Sequence, residues 1–592
     1  MPPIILSPGD DTFYGGNTAE SIFGVGGNDF LVGGGGSDTL FGGLGDDTLQ
    51  DGSAGDTDTY YGGAGNDIIQ AGFGDFGDLA DGGTGTDMLS LYYAFFTQGG
   101  LSIIFGSSFF VLAGGAQGIS AQNFEALQLS GTAQGDFVQC AGGDDYILAG
   151  DGFDTLYGGG GNDYFDVGNG DFLVAGGAGI DTFAIILSAV TVAVQWTVGP
   201  SATLAIAGFS GTATGMEIAI ITTGTGNDSL VGGAYADRFN TGLGNDLLDG
   251  GQGNDMLSSG NGSDLIYGGA GNDFITNYFT FEVGTGGDTA YGGLGNDSIY
   301  GADRDEVLHG GDGDDVINGS YGLDVIYGGN GNDFLNGTTQ CSLYGGAGDD
   351  RVSLIFDDIV DVLSGGTGVD RLAAYLNFNL RSHTLETRQA AGGYQFLDNG
   401  VVVQTATGFE SFTIGGGEMG DTLRGGALDD VLTGYNYDGP ASDADRLFGN
   451  AGNDLLIGRA ADDRLYGGDD ADTLDGGLDK DQLSGGLGAD VFRLTRELDS
   501  GVGNALRDVI ADFVAGQDRI DLSQIDAAPL DALIDAFTFI GRTAFGNHAG
   551  ELRFAGTLLR TIVQGDTDGD GSADFEIELT GKVVLQATDF IL

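Results

Sequence analysis

Residues 241–273 read TGLGNDLLDGGQGNDMLSSGNGSDLIYGGAGND. An Asp stands at 246, 255, 264 and 273, every ninth position, each closing a glycine-rich turn. Two residues after each comes a large apolar side chain: Leu248, Leu257, Ile266 and Ile275. Glycine admits positive φ and close backbone approach. Asp favours turns and offers hard oxygen ligands, which suit Ca²⁺. The short piece around the apolar residue reads as a strand with one inward side chain. Two nonapeptides then make one coil of 18 residues, with turns stacked on two sides of a flattened roll. Stacked turns can hold an ion between them, and stacked apolar residues give one thin core.

The same phase runs through much of the chain. Strict GGxGxD occurs fourteen times, ending at Asp38, Asp47, Asp67, Asp87, Asp163, Asp181, Asp255, Asp273, Asp297, Asp315, Asp333, Asp350, Asp370 and Asp490. Relaxed turns end at Asp29, Asp145, Asp154, Asp228, Asp246, Asp264, Asp324 and Asp454. These aspartates are the candidate calcium ligands. The copies resemble the nonapeptide of the RTX (repeats-in-toxin) calcium-binding proteins over about 400 residues. The resemblance implies an all-β, right-handed parallel β-roll solenoid that binds multiple Ca²⁺ ions. In the last repeat block the fourth-position glycine gives way to Leu428, Ala461, Asp470 and Asp479, in the turns ending at Asp430, Asp463, Asp472 and Asp481. Fewer or weaker ions are expected there.

Composition fits this reading and excludes others. Of 87 acidic residues among 592, only 12 are Glu, against 19 Lys plus Arg, for a net charge of −68. Residues 1–237 contain no Lys or Arg, so nucleic acid is not a partner. Cys140 and Cys341 stand far apart, which does not suit a disulfide framework. A hydrophobic content of 41% argues against acidic disorder. The N-terminus MPPIILSPGDD lacks a basic segment and a long apolar core, so a Sec-type signal is not expected.

The repeat is interrupted three times, each time after a strict turn, at Asp87, Asp181 and Asp370. Each interruption ends on a Glu eleven residues before a ladder Asp: Glu125 and Asp136, Glu217 and Asp228, Glu410 and Asp421. The inserts read as copies of one β-rich module. Two of them include long uncharged stretches, Met88 to Phe124 and Thr182 to Met216, but the third carries Arg381, His383, Glu386, Arg388 and Asp398. Charges of that kind are costly in a bilayer, so no transmembrane span is expected. TVAVQWTV at 191–198 alternates as a strand does, and Gln395 to Val403 reads as a hairpin around Asn399-Gly400. Tyr92, Tyr93, Phe95 and Phe96 are either core of the first insert or a surface for glycan or self-association.

The expected layout is repeat blocks at 1–87, 136–181, 228–370 and 421–490, inserts at 88–135, 182–227 and 371–420, and a C-terminal cap at 491–592. From Val491 the nine-residue phase stops. RDVIADFVAGQDRIDLSQID at 507–526, GDTDGDGSADFEIELTG at 565–581 and the final Asp589-Phe590-Ile591-Leu592 resemble the C-terminal domain of serralysin-type metalloproteases. That resemblance implies a folded cap carrying a type I secretion signal. Asp566, Asp568 and Asp570 match the first half of an EF-hand loop, but position twelve is Ile577. They make a further candidate calcium site, with Asp574 or Glu576 completing it.

Catalytic signatures are missing. None of His309, His383 and His548 is followed by Glu, so there is no HExxH; there is no G-x-S-x-G and no Walker A loop. The only lysines are Lys480 and Lys582, which does not suit an acylated pore-former. The expectation is a secreted, extracellular or cell-surface protein, exported by type I machinery, folding on calcium and serving as a non-catalytic layer, matrix or adhesive. The alternative is an enzyme acting on an extracellular polymer, with its site in the inserts.

Overall fold

The computed structural model describes residues 2–592 except 54, 72–76, 96–98, 105–108, 114–115, 200, 207–208, 278–286, 339–340, 357–361, 377–383, 392, 435–442 and 529–534. Among the described residues the regular elements are β-strands and two single-turn 3-10 helices, Glu497–Asp499 and Ala587–Asp589. Among the described residues no helix is long and apolar enough to cross a membrane. The chain forms two compact units, Met1–Leu294 and Gly295–Leu592.

In both units most strands pair in parallel with a strand one coil away. Leu247–Gln252 pairs with Leu265–Ala270, matching Leu248 to Ile266, and Val307–Asp312 pairs with Val325–Asn330, matching Leu308 to Ile326. The repeat per coil is 18 residues in most places, but 20 from Asp38 to Asp58 and 24 from Asp264 to Asp288. The strand register is kept across both longer coils, with Thr39 opposite Thr59 and Leu265 opposite Thr289. The fold is the all-β parallel β-roll that the nonapeptide implies.

The core is two files of side chains, one per coil on each side. Ile22, Leu40, Tyr60 and Ala80 form part of one file, and Leu31, Leu49, Ile69 and Leu89 part of the other, all at 0% exposure. Each large apolar member contributes about 1.5–3 kcal/mol of transfer free energy. The longer strands place a second inward position at glycine, as at Gly250 in Leu247–Gln252. That glycine brings the sheet against the turn.

The first and third inserts share one topology. Leu101–Ile104, Phe109–Ala113 and Ala116–Gln122 form an antiparallel meander whose ends pair in parallel with Phe137–Gln139 and Leu79–Thr84. Leu385–Ala390, Gly393–Asp398 and Val401–Thr407 do the same between Thr422–Arg424 and Val362–Thr367. The Asn399-Gly400 turn has φ of 46° and 80°, as a tight hairpin needs. In the second insert Ala202–Ile206 pairs with Phe209–Thr214, and Gln195–Thr197 pairs with Ser229–Val231. The strand expected over 191–198 is thus confined to three residues, which turn Trp196 inward onto Phe183, 4.6 Å between ring centroids.

The C-terminal region adds an antiparallel meander of Glu551–Gly556, Arg560–Asp566 and Phe575–Thr580. It joins the roll through Asp508–Ile510, which pairs with both Gln482–Leu487 and Phe575–Thr580. Asp589 is buried and accepts the amides of Gly516 and Gln586 at 2.8 and 2.7 Å.

Candidate metal centre

Every ladder aspartate among the candidate ligands, from Asp29 to Asp490, is at most 3% exposed. An ionised Asp is almost never that buried without compensation. Half the compensation is local. In most of them Oδ1 accepts the amide of the Asp one coil earlier: Asp29 to Asp47, Asp136 to Asp154, Asp255 to Asp273 and Asp315 to Asp333, at 2.8 to 2.9 Å. The side chain must reach its neighbour's backbone from a tight turn, which the short Asp side chain does within the regular coils.

Oδ2 is turned the other way. In Asp29, Asp38, Asp47, Asp67, Asp87, Asp154, Asp181, Asp255, Asp315, Asp333, Asp350, Asp370 and Asp454 it is buried and meets no hydrogen-bond donor. What it faces is another acceptor. A Cβ on Gly250 would lie 2.3 Å from Asp255 Oδ2 and 2.6 Å from the Gly268 carbonyl oxygen. The same pair of oxygens meets a Cβ at Gly42, Gly310 and Gly328. A carboxylate and a carbonyl converging on one cradle repel each other unless a cation lies between them. Oxygen-only, anionic and donor-free, this set fits calcium.

The carboxyls respond to this crowding. Burial is the main cause of a rise that amide hydrogen bonds oppose and neighbouring carboxylates reinforce. It pushes Asp47 and Asp315 up to about 7, and Asp154 and Asp454 to about 8. A bound cation would supply the missing counter-charge and hold them ionised.

A second row of bonds was not legible as a ligand pattern. The residue before each motif Asp is commonly Asn or Asp, and its side-chain oxygen accepts the amide at the same position one coil later. Asp46 donates to Asn28 at 3.0 Å, Asn66 to Asp46 at 2.7 Å and Thr86 to Asn66 at 2.9 Å. The recurring GND and GDD triplets are its sequence signal. The row stops at Thr86, Ile180 and Val369, each just before an insert.

Sequence reasoning also missed Asp58, Asp78 and Asp288, which accept ladder amides across irregular coils, and Glu306, whose amide donates to Asp324 Oδ1 at 3.0 Å. The inserts rejoin the ladder through their terminal Glu. Glu125, Glu217 and Glu410 accept the amides of Asp87, Asp181 and Asp370 at 2.8, 2.9 and 3.0 Å.

In the degenerate block the turn geometry persists. Ala461, Asp470 and Asp479 adopt φ of 88°, 75° and 78°, where glycine is usual. Oδ2 of Asp463, Asp472 and Asp481 is buried and donor-free as in strict turns. What distinguishes these turns is backbone strain of about 1–2 kcal/mol per residue, while the oxygen set matches that of the strict copies.

In the C-terminal region carboxylate oxygens of Asp566, Asp568 and Asp570 lie within 4.8 Å of one another. Asp574 turns inward to accept from Thr567, and Glu576 is held by Arg507 at 2.8 Å. Glu576 is therefore committed to an ion pair and does not complete the site. Asp51, Asp56 and Asp58 form another such carboxylate group. Among the aromatics of the first insert, Tyr93 is buried, Tyr92 and Phe95 are exposed, and Phe96 lies outside the described residues. Arg381 and His383 also lie outside them, and Arg388 Nε donates to Gln395 at 3.0 Å.

Comparison with known proteins agrees with this geometry. The RTX calcium-binding nonapeptide repeat matches residues 4–31, 14–49, 53–89, 141–171, 222–257, 255–276, 282–303, 300–335 and 342–354. The Peptidase M10 serralysin C terminal matches residues 442–592, starting inside the fourth repeat block. No curated protein matches the chain. Among solved structures, the AlgE6R3 subunit of the Azotobacter vinelandii mannuronan C5-epimerase is 26% identical, with 29% of this chain and 78% of that one covered and a TM-score of 0.19. The AlgE6R2 subunit of the same epimerase is 25% identical, with 31% and 91% covered and a TM-score of 0.16. Extracellular lipase LipA from Serratia marcescens is 16% identical, with 52% and 40% covered and a TM-score of 0.12. Two family matches and a parallel roll of aspartate turns lead to one conclusion: the chain is a secreted RTX calcium-binding protein with a serralysin-type C-terminal domain, exported by type I secretion.

Proposed function

We propose that this protein is a non-catalytic extracellular structural element, part of a surface layer, matrix or adhesive coat, whose roll is assembled by calcium. The reading is carried by the acceptor-only pairing of Asp Oδ2 with a glycine carbonyl, repeated coil after coil. The proposed ligands are the ladder aspartates from Asp29 to Asp490, with Asp566, Asp568 and Asp570 as a separate site. In the cytosol, where calcium is scarce, a chain of charge −68 stays expanded. Outside, sites with the affinity of extracellular modules, about 10⁻⁴–10⁻³ M, fill. Metal binding is then folding free energy.

The proposed layout is four repeat blocks, three inserts and a C-terminal cap, with the inserts as the surfaces for self-association. Two polar side chains of the third insert serve its own sheet, which supports a structural role: the Tyr394 hydroxyl donates to Thr387 at 3.1 Å, and Arg388 Nε donates to Gln395 at 3.0 Å. The aromatic columns on the sheet faces support it too. Phe23, Phe41 and Tyr61 stack ring on ring, as do His309, Tyr327 and Tyr344, with centroids 4.4 to 4.9 Å apart. Rings stacked on each other spend their faces internally, whereas a sugar platform needs faces open to solvent. Circular dichroism in chelator and in millimolar calcium tests the assembly, with β-structure expected only in calcium. Sedimentation in calcium tests the role: calcium-dependent assembly supports it, and turnover of any member of a polysaccharide panel overturns it.

A further inference from the structure

Positive charge is scarce in this chain, and part of it is gathered on one sheet face of the second unit. All 19 Lys and Arg lie after residue 237, against 87 acidic residues in the whole sequence. The face belongs to the strands Thr422–Arg424, Arg446–Ala451, Arg464–Asp469 and Gln482–Leu487. In each, the residue after the ladder Asp points outward, because the next one, Leu423, Leu447, Leu465 or Leu483, fills the core at 0 to 1% exposure. That alternation sets Arg446 directly opposite Arg464, and Arg464 opposite Gln482. Two positions along, Arg424 stands opposite Phe448, and Phe448 opposite Tyr466.

Guanidinium groups on neighbouring strands, whose backbones are about 4.8 Å apart, repel each other. Among the described residues neither Arg446 nor Arg464 pairs with a carboxylate, and Arg464 Nε donates only to Gln482, at 3.3 Å. The Arg424 guanidinium lies 4.1 Å from the centre of the Phe448 ring, which stacks on Tyr466 at 4.9 Å. A cation on a ring face keeps its charge. Acids stand at the margins of this face: Glu386 beyond Thr422, Asp462 and Asp469 in the turns, and Asp512, which accepts the Ser484 hydroxyl at 2.6 Å. None stands between the arginines.

We propose that this face binds a linear polysaccharide bearing carboxylate groups, with Arg446 and Arg464 each taking one carboxylate and Arg424 flanking them. A guanidinium presents a planar fork that matches a carboxylate in two parallel hydrogen bonds. Two opposed cations without an internal partner are relieved by anions supplied from outside. The register selects a polymer: successive coils repeat a side-chain position at strand spacing, and a 1,4-linked uronate chain repeats its carboxylates at a distance of the same order. The regular acidic row that a second copy of this chain could offer is its aspartate ladder, which is at most 3% exposed and cannot dock. The inference goes beyond the structural reading, since it names what the protein holds and stands whether or not the chain turns that polymer over.

The test is isothermal titration of the full-length, calcium-loaded chain with hexagalacturonate, with neutral cellohexaose as the comparison. Wild type is expected to bind the first and not the second. Arg446→Gln/Arg464→Gln should weaken binding by about tenfold or more, with an unchanged circular dichroism spectrum in calcium. Arg542→Gln/Lys582→Gln removes the same charge from the C-terminal region and should leave the affinity alone. No binding by wild type, equal affinity for the neutral sugar, or equal loss in both variants overturns the inference. A second copy is the occupant instead if the Arg446→Gln/Arg464→Gln variant loses calcium-dependent sedimentation while hexagalacturonate binds neither protein, and that result also overturns it. Product formed from hexagalacturonate in the same mixture counts against the structural reading and leaves this one standing.

Discussion

The amide of Asp29 donates to Oδ1 of Asp47, 18 residues further along the chain, at 2.8 Å. One carboxylate thus has two tasks: Oδ1 ties two coils together, and Oδ2 faces the metal cradle. Asp47→Asn keeps an acceptor for the Asp29 amide and removes the charge, whereas Asp47→Ala removes both. The expected outcome is that both lose calcium at this turn. Ala should cost about 1–3 kcal/mol more than Asn, because it leaves a buried amide unpaired. Urea denaturation at saturating calcium separates the two.

Gly250→Ala places a methyl group 2.3 Å from Asp255 Oδ2 and 2.6 Å from the Gly268 carbonyl oxygen. Its calcium requirement for folding should rise at least several-fold. A substitution at Gly400, φ +80° with nothing within 4 Å of the added Cβ, should cost only about 1 kcal/mol of backbone strain and leave calcium binding alone. Calcium titrations followed by circular dichroism compare them.

Protons and calcium compete for the same oxygens. Burial raises Asp47 and Asp315 to about 7 and Asp154 to about 8, above the usual carboxylate value near 3.8. The metal-free folded state therefore binds protons more tightly than the unfolded chain. Its stability is greatest below about pH 4 and falls as the pH rises through about 7 to 8. In chelator, structure should appear on acidification and vanish above neutrality. In calcium, affinity should weaken as the pH drops below about 7, because ligands must lose protons to bind. A chelated chain that is equally folded at pH 5 and pH 8 contradicts this.

Glu125, Glu217 and Glu410 finish the inserts by accepting the amides of Asp87, Asp181 and Asp370. Replacing Glu125 by Ala should cost about 1–3 kcal/mol, and by Gln much less, since the amide oxygen still accepts. Thermal unfolding in calcium reads the difference.

Arg507 is 5% exposed and holds Glu576 and Glu578 at 2.8 and 2.7 Å. Arg507→Ala strands buried carboxylate charge and should destabilise the C-terminal region by about 3–5 kcal/mol. Pairing it with Glu576→Gln should recover part of that loss. Differential scanning calorimetry follows the transition.

Much of this molecule was readable before any coordinates. The nine-residue phase of Asp and Leu or Ile specifies the coil, because each turn repeats the same local chemistry. The acid that rejoins each interruption to the ladder is equally plain, since Glu125, Glu217 and Glu410 recur at one offset from the next ladder Asp. What escaped reading depends on contacts between coils. Asp58 and Asp78 lie out of phase in the text, and only the 20-residue coil brings them into line with Asp38. The division of labour between Oδ1 and Oδ2 is likewise invisible in a string of letters. The short strand at Gln195–Thr197 was overread because alternation reports which side chains face inward, while a ladder also needs a neighbouring strand.

The aspartate ladder has a direction. Each coil gives its amide to the coil that follows, so the last coil needs an acceptor from beyond the repeats. Asp508 and Asp518 supply it, taking the amides of Asp481 and Asp490 at 2.9 and 3.1 Å. The C-terminal region is thereby a template as well as a lid. A roll laid down from that end presents a waiting carboxylate to the next coil, whereas one started from the other end presents a waiting amide.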